Sequence, residues 1–336
     1  MQISWNILSK YRNELYGFSI LWIILFHGLN VKNSSLCKEL EVLRGFIKHG
    51  NCGVEIFLFL SGMCLYYSFK NNEKVVQFYI KRLKRILIPF FIIDGIYWCY
   101  ICIIEDNNIL QFIKNITFYS FWFEGNKLVW FIALILPLYL FYPILFKFII
   151  DNKKLNRLNY IICLCVLTYI LCYLFKKFDY QWYKGIEIAL TRIPVFLLGC
   201  YCGVLAYENK IINSSIKGIS LIIIIFGVGY FYLHPIGLVK TFRMPYLLLG
   251  PSIAIWFAIC LEVINTPPIN TILSKCGRLS LELYLSHVVL EKVFSSSILL
   301  GNSAVANFNK YLIFVLCGAF AISIVVYYLE KLILGK

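Results

Sequence analysis

The residues best suited to chemistry in this chain stand where water is scarce. His27 closes the apolar run that begins at Tyr16, and Glu55 sits inside Gly53-Val54-Glu55-Ile56-Phe57-Leu58-Phe59-Leu60-Ser61-Gly62. Ionisable side chains are costly in hydrocarbon and turn towards protein or a water-filled cavity, so both are candidate site residues. If the first run rises from the inner surface, His27 lies about 20 Å up at 1.5 Å per residue. The second run then enters from outside and carries Glu55 roughly two turns down, to a similar depth. An imidazole and a carboxylate at one depth on sequential helices form a candidate acid–base pair. The plainer alternatives are a histidine satisfied by a neighbouring carbonyl and a glutamate in a structural ion pair. Trp22, Phe57 and Phe59 read as packing or lipid-facing residues.

A second constellation follows in Phe78-Tyr79-Ile80-Lys81-Arg82-Leu83-Lys84-Arg85. Arg82 and Arg85 are three apart and share a helix face. With Phe78, Tyr79, Leu83 and Ile86 they describe an interfacial helix leading into the next span. Their guanidinium forks suit the phosphates of a nucleotide-like donor; the alternative is an anchor on lipid headgroups. Arg192, ahead of Pro194, either snorkels to water, pairs with Glu55 or binds an anionic acceptor. Pro194 is a candidate kink, and Trp130 is either a belt residue or part of the site. Glu282 and His287, five apart, project roughly 140° from one another around a helix and are not expected to pair. The aromatic segment 105–127 is a candidate cover for the outer mouth, His234-Pro235 an outer turn, and Glu330 and Lys331 inner-surface anchors.

These groups need elements to hold them, and composition says which. The 336 residues are 60% hydrophobic and 15% charged, where a soluble domain carries about 25% charged. The apolar residues fall in blocks of roughly 17–25, the length that crosses ~30 Å of hydrocarbon. About ten such blocks predict an all-α, polytopic bundle over residues 14–31, 50–69, 86–104, 128–149, 159–175, 188–206, 218–233, 246–265, 279–299 and 311–332. The cations Lys70, Lys74, Lys81, Arg82, Lys84 and Arg85 after the second block place both termini inside. The net charge of +15 is spread over short connections, which argues for contact with membrane lipids and against nucleic acid. The thirteen cysteines lie mostly inside spans and read as small apolar packing residues, with no metal or redox pattern. No cleavable leader, internal repeat or separate soluble domain is expected; residues 1–336 read as one unit.

The order of these motifs resembles the acyltransferase-3 family of bacterial integral membrane acyltransferases. The likeness rests on Phe26-His27, on Gly53 to Gly62 with Arg82 and Arg85 beyond, on Arg192-Ile193-Pro194 followed by Gly199, and on Gly277 to His287. It implies about ten spans in the cytoplasmic membrane and transfer of an acyl group, usually acetyl from acetyl-CoA, onto a hydroxyl of an envelope glycan. By that resemblance His27 is the essential histidine, Glu55 stands where many members have Asp, and Arg82 and Arg85 serve the CoA donor. Glu282 and His287 match the penultimate-span motif. One departure is visible: many members carry an arginine eleven positions before the histidine, and here that position is Tyr16. Arg12, one turn lower, is the residue available to supply the missing charge. The expected mechanism has His27 as general base oriented by Glu55, direct transfer without a serine nucleophile, and neither a metal nor a permanently bound cofactor. The alternative is a transporter or flippase for a lipid-linked glycan, in which the same residues would form a proton relay.

Overall fold

A computed structural model describes residues 2–31, 34–36, 41–71, 74–152, 156–233, 244–296 and 303–335. Its regular structure is helical throughout the described residues, apart from an isolated bridge between Ser4 and Ile211. Each apolar block became a helix. They are α1 (Arg12–Asn30), α2 (Gly50–Lys70), α3 (Val75–Glu105), α4 (Trp130–Ile150), α5 (Arg157–Phe178), α6 (Tyr180–Tyr207), α7 (Ser214–Leu233), α8 (Met244–Ile264), α9 (Ser280–Ser296) and α10 (Val305–Leu334). Seven of the helices are long and apolar enough to cross a membrane by length and composition. The expected His234-Pro235 turn lies outside the described residues.

The bundle closes through small residues, because lipid offers no hydrophobic drive between helices and close approach must supply the contact energy. α2 crosses α6 at Gly62 and Gly199. A Cβ on Gly62 would strike the Phe196 carbonyl, and one on Gly199 the Phe59 carbonyl. α1 meets the short helix Pro267–Arg278 in the same way at Gly17 and Gly277. Thr266 precedes this helix and Pro267 and Pro268 open it. α5 lies at the periphery, with Ile162, Val166, Ile170 and Tyr173 exposed as a lipid-facing stripe. Cys165, Cys200 and Cys202 are buried, while Cys163 and Cys260 are exposed on apolar helix surfaces.

Three departures from regular helix matter for the site. The basic segment and the third span form one continuous helix, α3, which passes through π-helical turns at Phe91–Gly95 and Cys99–Glu105. Such turns often mark functional positions. α6 breaks at Thr191–Arg192, and Pro194 opens the following segment, where its missing N–H costs nothing. The outer segment folds into helices Ile109–Ile116 and Tyr119–Glu124 and lies back on the start of α6. Trp182 Nε1 donates to the Trp122 carbonyl at 2.8 Å, and Lys127 Nζ to the Lys184 carbonyl at 2.9 Å. Gly125, at φ +72°, seats against Gly185.

Candidate active site

α1, α2, α3, α4 and α9 enclose a cavity of about 310 Å³. Its lining follows helix periodicity. α1 contributes Arg12, Tyr16 and Ile23, α2 contributes Val54, Phe57, Ser61 and Cys64, and α4 contributes Phe131, Ile135 and Tyr139. Spacings of three, four and seven keep each set on one helix face. Phe57, expected to pack or face lipid, is thus a cavity wall, where it stacks on Tyr16 at 5.1 Å between ring centroids.

One mouth of the cavity holds four guanidinium groups, Arg12, Arg82, Arg85 and Arg278. They are not equivalent. Arg85 donates to Glu282, and to Glu330 at 2.6 Å. Both carboxylates are buried, so Arg85 is neutralised within the protein. Glu330 is accordingly not the surface anchor expected from its place near the chain end. A terminal glutamate facing the bundle can be buried only because Arg85 meets it. Arg12, Arg82 and Arg278 form no ion pair among the described residues. Arg82 stacks instead over Phe78 and Tyr139, 5.9 Å from each ring centroid. The two arginines expected to act together therefore divide: Arg82 is free to meet a ligand, and Arg85 is engaged.

One face of α1 leads from Arg12 past Tyr16 and Ile23 to His27, about 22 Å along the helix axis. His27 does not meet Glu55. Its Nδ1 lies 2.6 Å from Glu291 Oε2 on α9. An ionised carboxylate accepts only, so His27 donates from Nδ1, which in the neutral ring leaves the lone pair on Nε2. His287 packs edge-on against His27 at 5.2 Å and against Tyr284 at 5.5 Å. Its Nδ1 lies 2.9 Å from the Leu283 carbonyl, which likewise assigns the proton to Nδ1. His287 Nε2 is buried and has no hydrogen-bond partner among the described residues. Two imidazoles thus pack against each other, each with Nδ1 engaged. The His27 side chain is 31% exposed, which leaves it reachable by a substrate.

Glu55 occupies a different site. Arg192 Nε stands 2.8 Å from Glu55 Oε1, with both side chains 2% exposed. The approach is a charge contact rather than an aligned hydrogen bond, since neither Glu55 oxygen has one among the described residues. Arg192 also donates from Nη1 to the Ile188 carbonyl at 2.8 Å and lies 4.8 Å from the Trp130 ring centroid. Trp130 is buried under this cation and is not a belt residue. The correction to the sequence expectation has a simple cause. Depth along a helix axis does not say which way a side chain points, and Glu55 points from α2 towards α6, away from α1. Glu282 and His287 do not pair: one serves Arg85 and the other stands beside His27.

Sequence reasoning missed Glu291, Arg278 and Asp94. Glu291 follows His287 by four residues, the spacing that shares a helix face, so a His-x-x-x-Glu signal was present in the ninth block. Asp94 lies in the π-helical turn of α3, is buried, and has Oδ2 unpartnered among the described residues. Its signal was a lone carboxylate inside an apolar block. No group of three His, Cys, Asp or Glu side chains forms a metal-holding cluster among the described residues.

The apolar helices and the cavity between them define a multi-pass helical membrane protein. The chain matches the family model described as an acyltransferase domain, acyltransferase-3, over residues 15–328, and it belongs to that family. No curated protein and no solved structure matches it.

Proposed function

We propose that this protein is an O-acyltransferase of the bacterial cytoplasmic membrane that moves an acyl group, acetyl from acetyl-CoA, onto a hydroxyl of a cell-envelope or exported glycan. In this reading ten spans cross the membrane with both termini inside. One observation carries it: a cavity with arginines free of ion pairs at its mouth is lined by the Arg12–Tyr16–Ile23 face of α1, the same helix face that carries the part-exposed, carboxylate-paired His27 one turn beyond Ile23. The CoA phosphates would dock on Arg12, Arg82 and Arg278, and the thioester would reach up between α1 and α9. Arg85 would hold the mouth together through Glu282 and Glu330.

The chemistry follows from the tautomers. The acceptor hydroxyl attacks the thioester carbonyl while His27 Nε2 takes its proton. Glu291 holds the ring and stabilises the imidazolium, as a carboxylate does in other His–acid pairs. Collapse of the tetrahedral intermediate breaks the carbon–sulfur bond, and the imidazolium returns the proton to the departing thiolate. Ester and free CoA leave, and the imidazole is again neutral. His287 lends a second Nε2 acceptor beside this path.

The test is transfer of labelled acetyl from acetyl-CoA to glycan in proteoliposomes without a pH gradient. Wild type is expected to label the glycan and His27→Ala to lose that activity. Glycan translocation that needs a pH gradient, with no label transferred, would overturn the reading in favour of a flippase.

A further inference from the structure

Beside the arginines the cavity wall also carries neutral groups, among them hydroxyls from three different helices. Tyr16 comes from α1, Ser61 from α2 and Tyr139 from α4. All three side chains line the same cavity, on facing helices. The stack of Tyr16 on Phe57 holds one ring, and the Arg82 guanidinium lies against the other. Apolar lining on α1, α2 and α4 comes from Ile23, Val54, Phe131 and Ile135, and Tyr284 of α9 packs on Phe131.

A hydroxyl both donates and accepts, so three of them offer a mixed set of partners without net charge. That set is ill matched to phosphate, which the arginines already suit. It is also wasted on an alkyl chain, since an unpaired polar group in a dry channel is costly. It does match a secondary amide, which needs one acceptor for its N–H and one donor for its C=O. A pantetheine arm carries two such amides between its phosphate end and its sulfur.

We infer that Tyr16, Ser61 and Tyr139 form a neutral girdle that recognises the amides of a pantetheine arm and so sets how far the thioester rises towards His27. This rests on the acyl-CoA reading given above. The girdle divides donor recognition in two: arginines select the nucleotide end, and hydroxyls select the arm. It assigns Tyr16 a role that an arginine in the same place would fill differently. The hydroxyl pairs with a neutral amide, whereas a guanidinium there would need an anion to offset its desolvation.

The experiment compares two ligands on the full-length protein purified in detergent, by isothermal titration. One is CoA. The other is adenosine 3′,5′-bisphosphate, which has phosphates but no arm. Tyr16→Phe, Ser61→Ala and Tyr139→Phe remove hydroxyls while keeping the rings and the packing. Each is expected to weaken CoA roughly fivefold, the worth of one net hydrogen bond, and to leave adenosine bisphosphate unchanged. Arg82→Ala is expected to weaken both ligands. Unchanged CoA affinity in the Tyr16→Phe/Ser61→Ala double variant would overturn the girdle while leaving the donor reading standing. Equal weakening of both ligands by the hydroxyl variants would also overturn it, because the effect would then be structural. If wild type binds neither ligand, the donor reading itself falls and the girdle with it.

Discussion

The Glu55–Arg192 and His27–Glu291 contacts both lie in apolar helices, and they differ in what they can do. Glu55 and Arg192 are each 2% exposed, covered by Trp130, and the cation is an arginine. His27 and Glu291 are 31% and 23% exposed beside a second imidazole, and the cation is a histidine. An arginine stays charged at any working pH, so the first pair holds a fixed charge and ties α2 to α6. A histidine exchanges its proton near neutrality, so the second can carry one between substrates. Residue types alone make Glu55 and Glu291 alike; exposure and the partner's chemistry separate a fixed ion pair from one suited to the proposed proton transfer.

The largest break in this contrast is expected at His27. His27→Ala should remove the base and lower transfer about 10²–10⁴-fold, with normal membrane insertion and an unchanged melting profile. Substantial transfer in that variant would remove His27 from the mechanism. Arg192→Leu should act on the opposite side of the comparison. Stranding the Glu55 carboxylate is expected to cost about 3–5 kcal/mol of stability, visible as early unfolding in fluorescence-detected size exclusion. Replacing Glu55 and Arg192 together by Met and Leu should recover most of that loss, since no lone charge is left buried. A single variant that is as stable as wild type would show the fixed ion pair to be dispensable.

Glu291→Gln should be milder and purely kinetic. Losing a charge-assisted hydrogen bond corresponds to roughly 10–100-fold in rate, with donor affinity and thermal stability preserved. If Glu55→Gln, rather than Glu291→Gln, slows transfer without unfolding the protein, the two roles are reversed. The smallest effect is expected at the arginine-lined mouth. Arg82→Ala should raise KM for acetyl-CoA about tenfold with kcat nearly unchanged, the signature of lost uniform binding. Arg82→Lys should recover only part, because an ammonium lacks the fork. Arg85→Leu should instead destabilise the protein, because it strands Glu282 and Glu330.

The bundle was legible because hydrocarbon thickness dictates block length, and each apolar run in the sequence is a helix in the structure. His27, Arg82 and Arg192 were legible because ionisable groups near or within lipid are few and each needs a reason. Some errors were of attention rather than principle: Glu291 and Asp94 sat inside recognised blocks and carried the same signal as Glu55. The Arg12–Tyr16–Ile23–His27 face follows from periodicity alone.

Pairing was not legible. Glu330 reaches Arg85 across 245 residues of chain, and Glu291 reaches His27 across 264. Composition and spacing determined that this protein is a helical membrane bundle, and where along each helix its ionisable groups lie. The tertiary structure decided which carboxylate neutralises Arg85, which one locks Arg192 and which one aims His27. The reason is geometric. A sequence specifies position along a helix and the face a side chain leaves from, whereas the neighbour that face meets depends on how ten helices are arranged around one another, here through glycine contacts such as Gly62 with the Phe196 carbonyl and Gly277 with the Asn13 carbonyl.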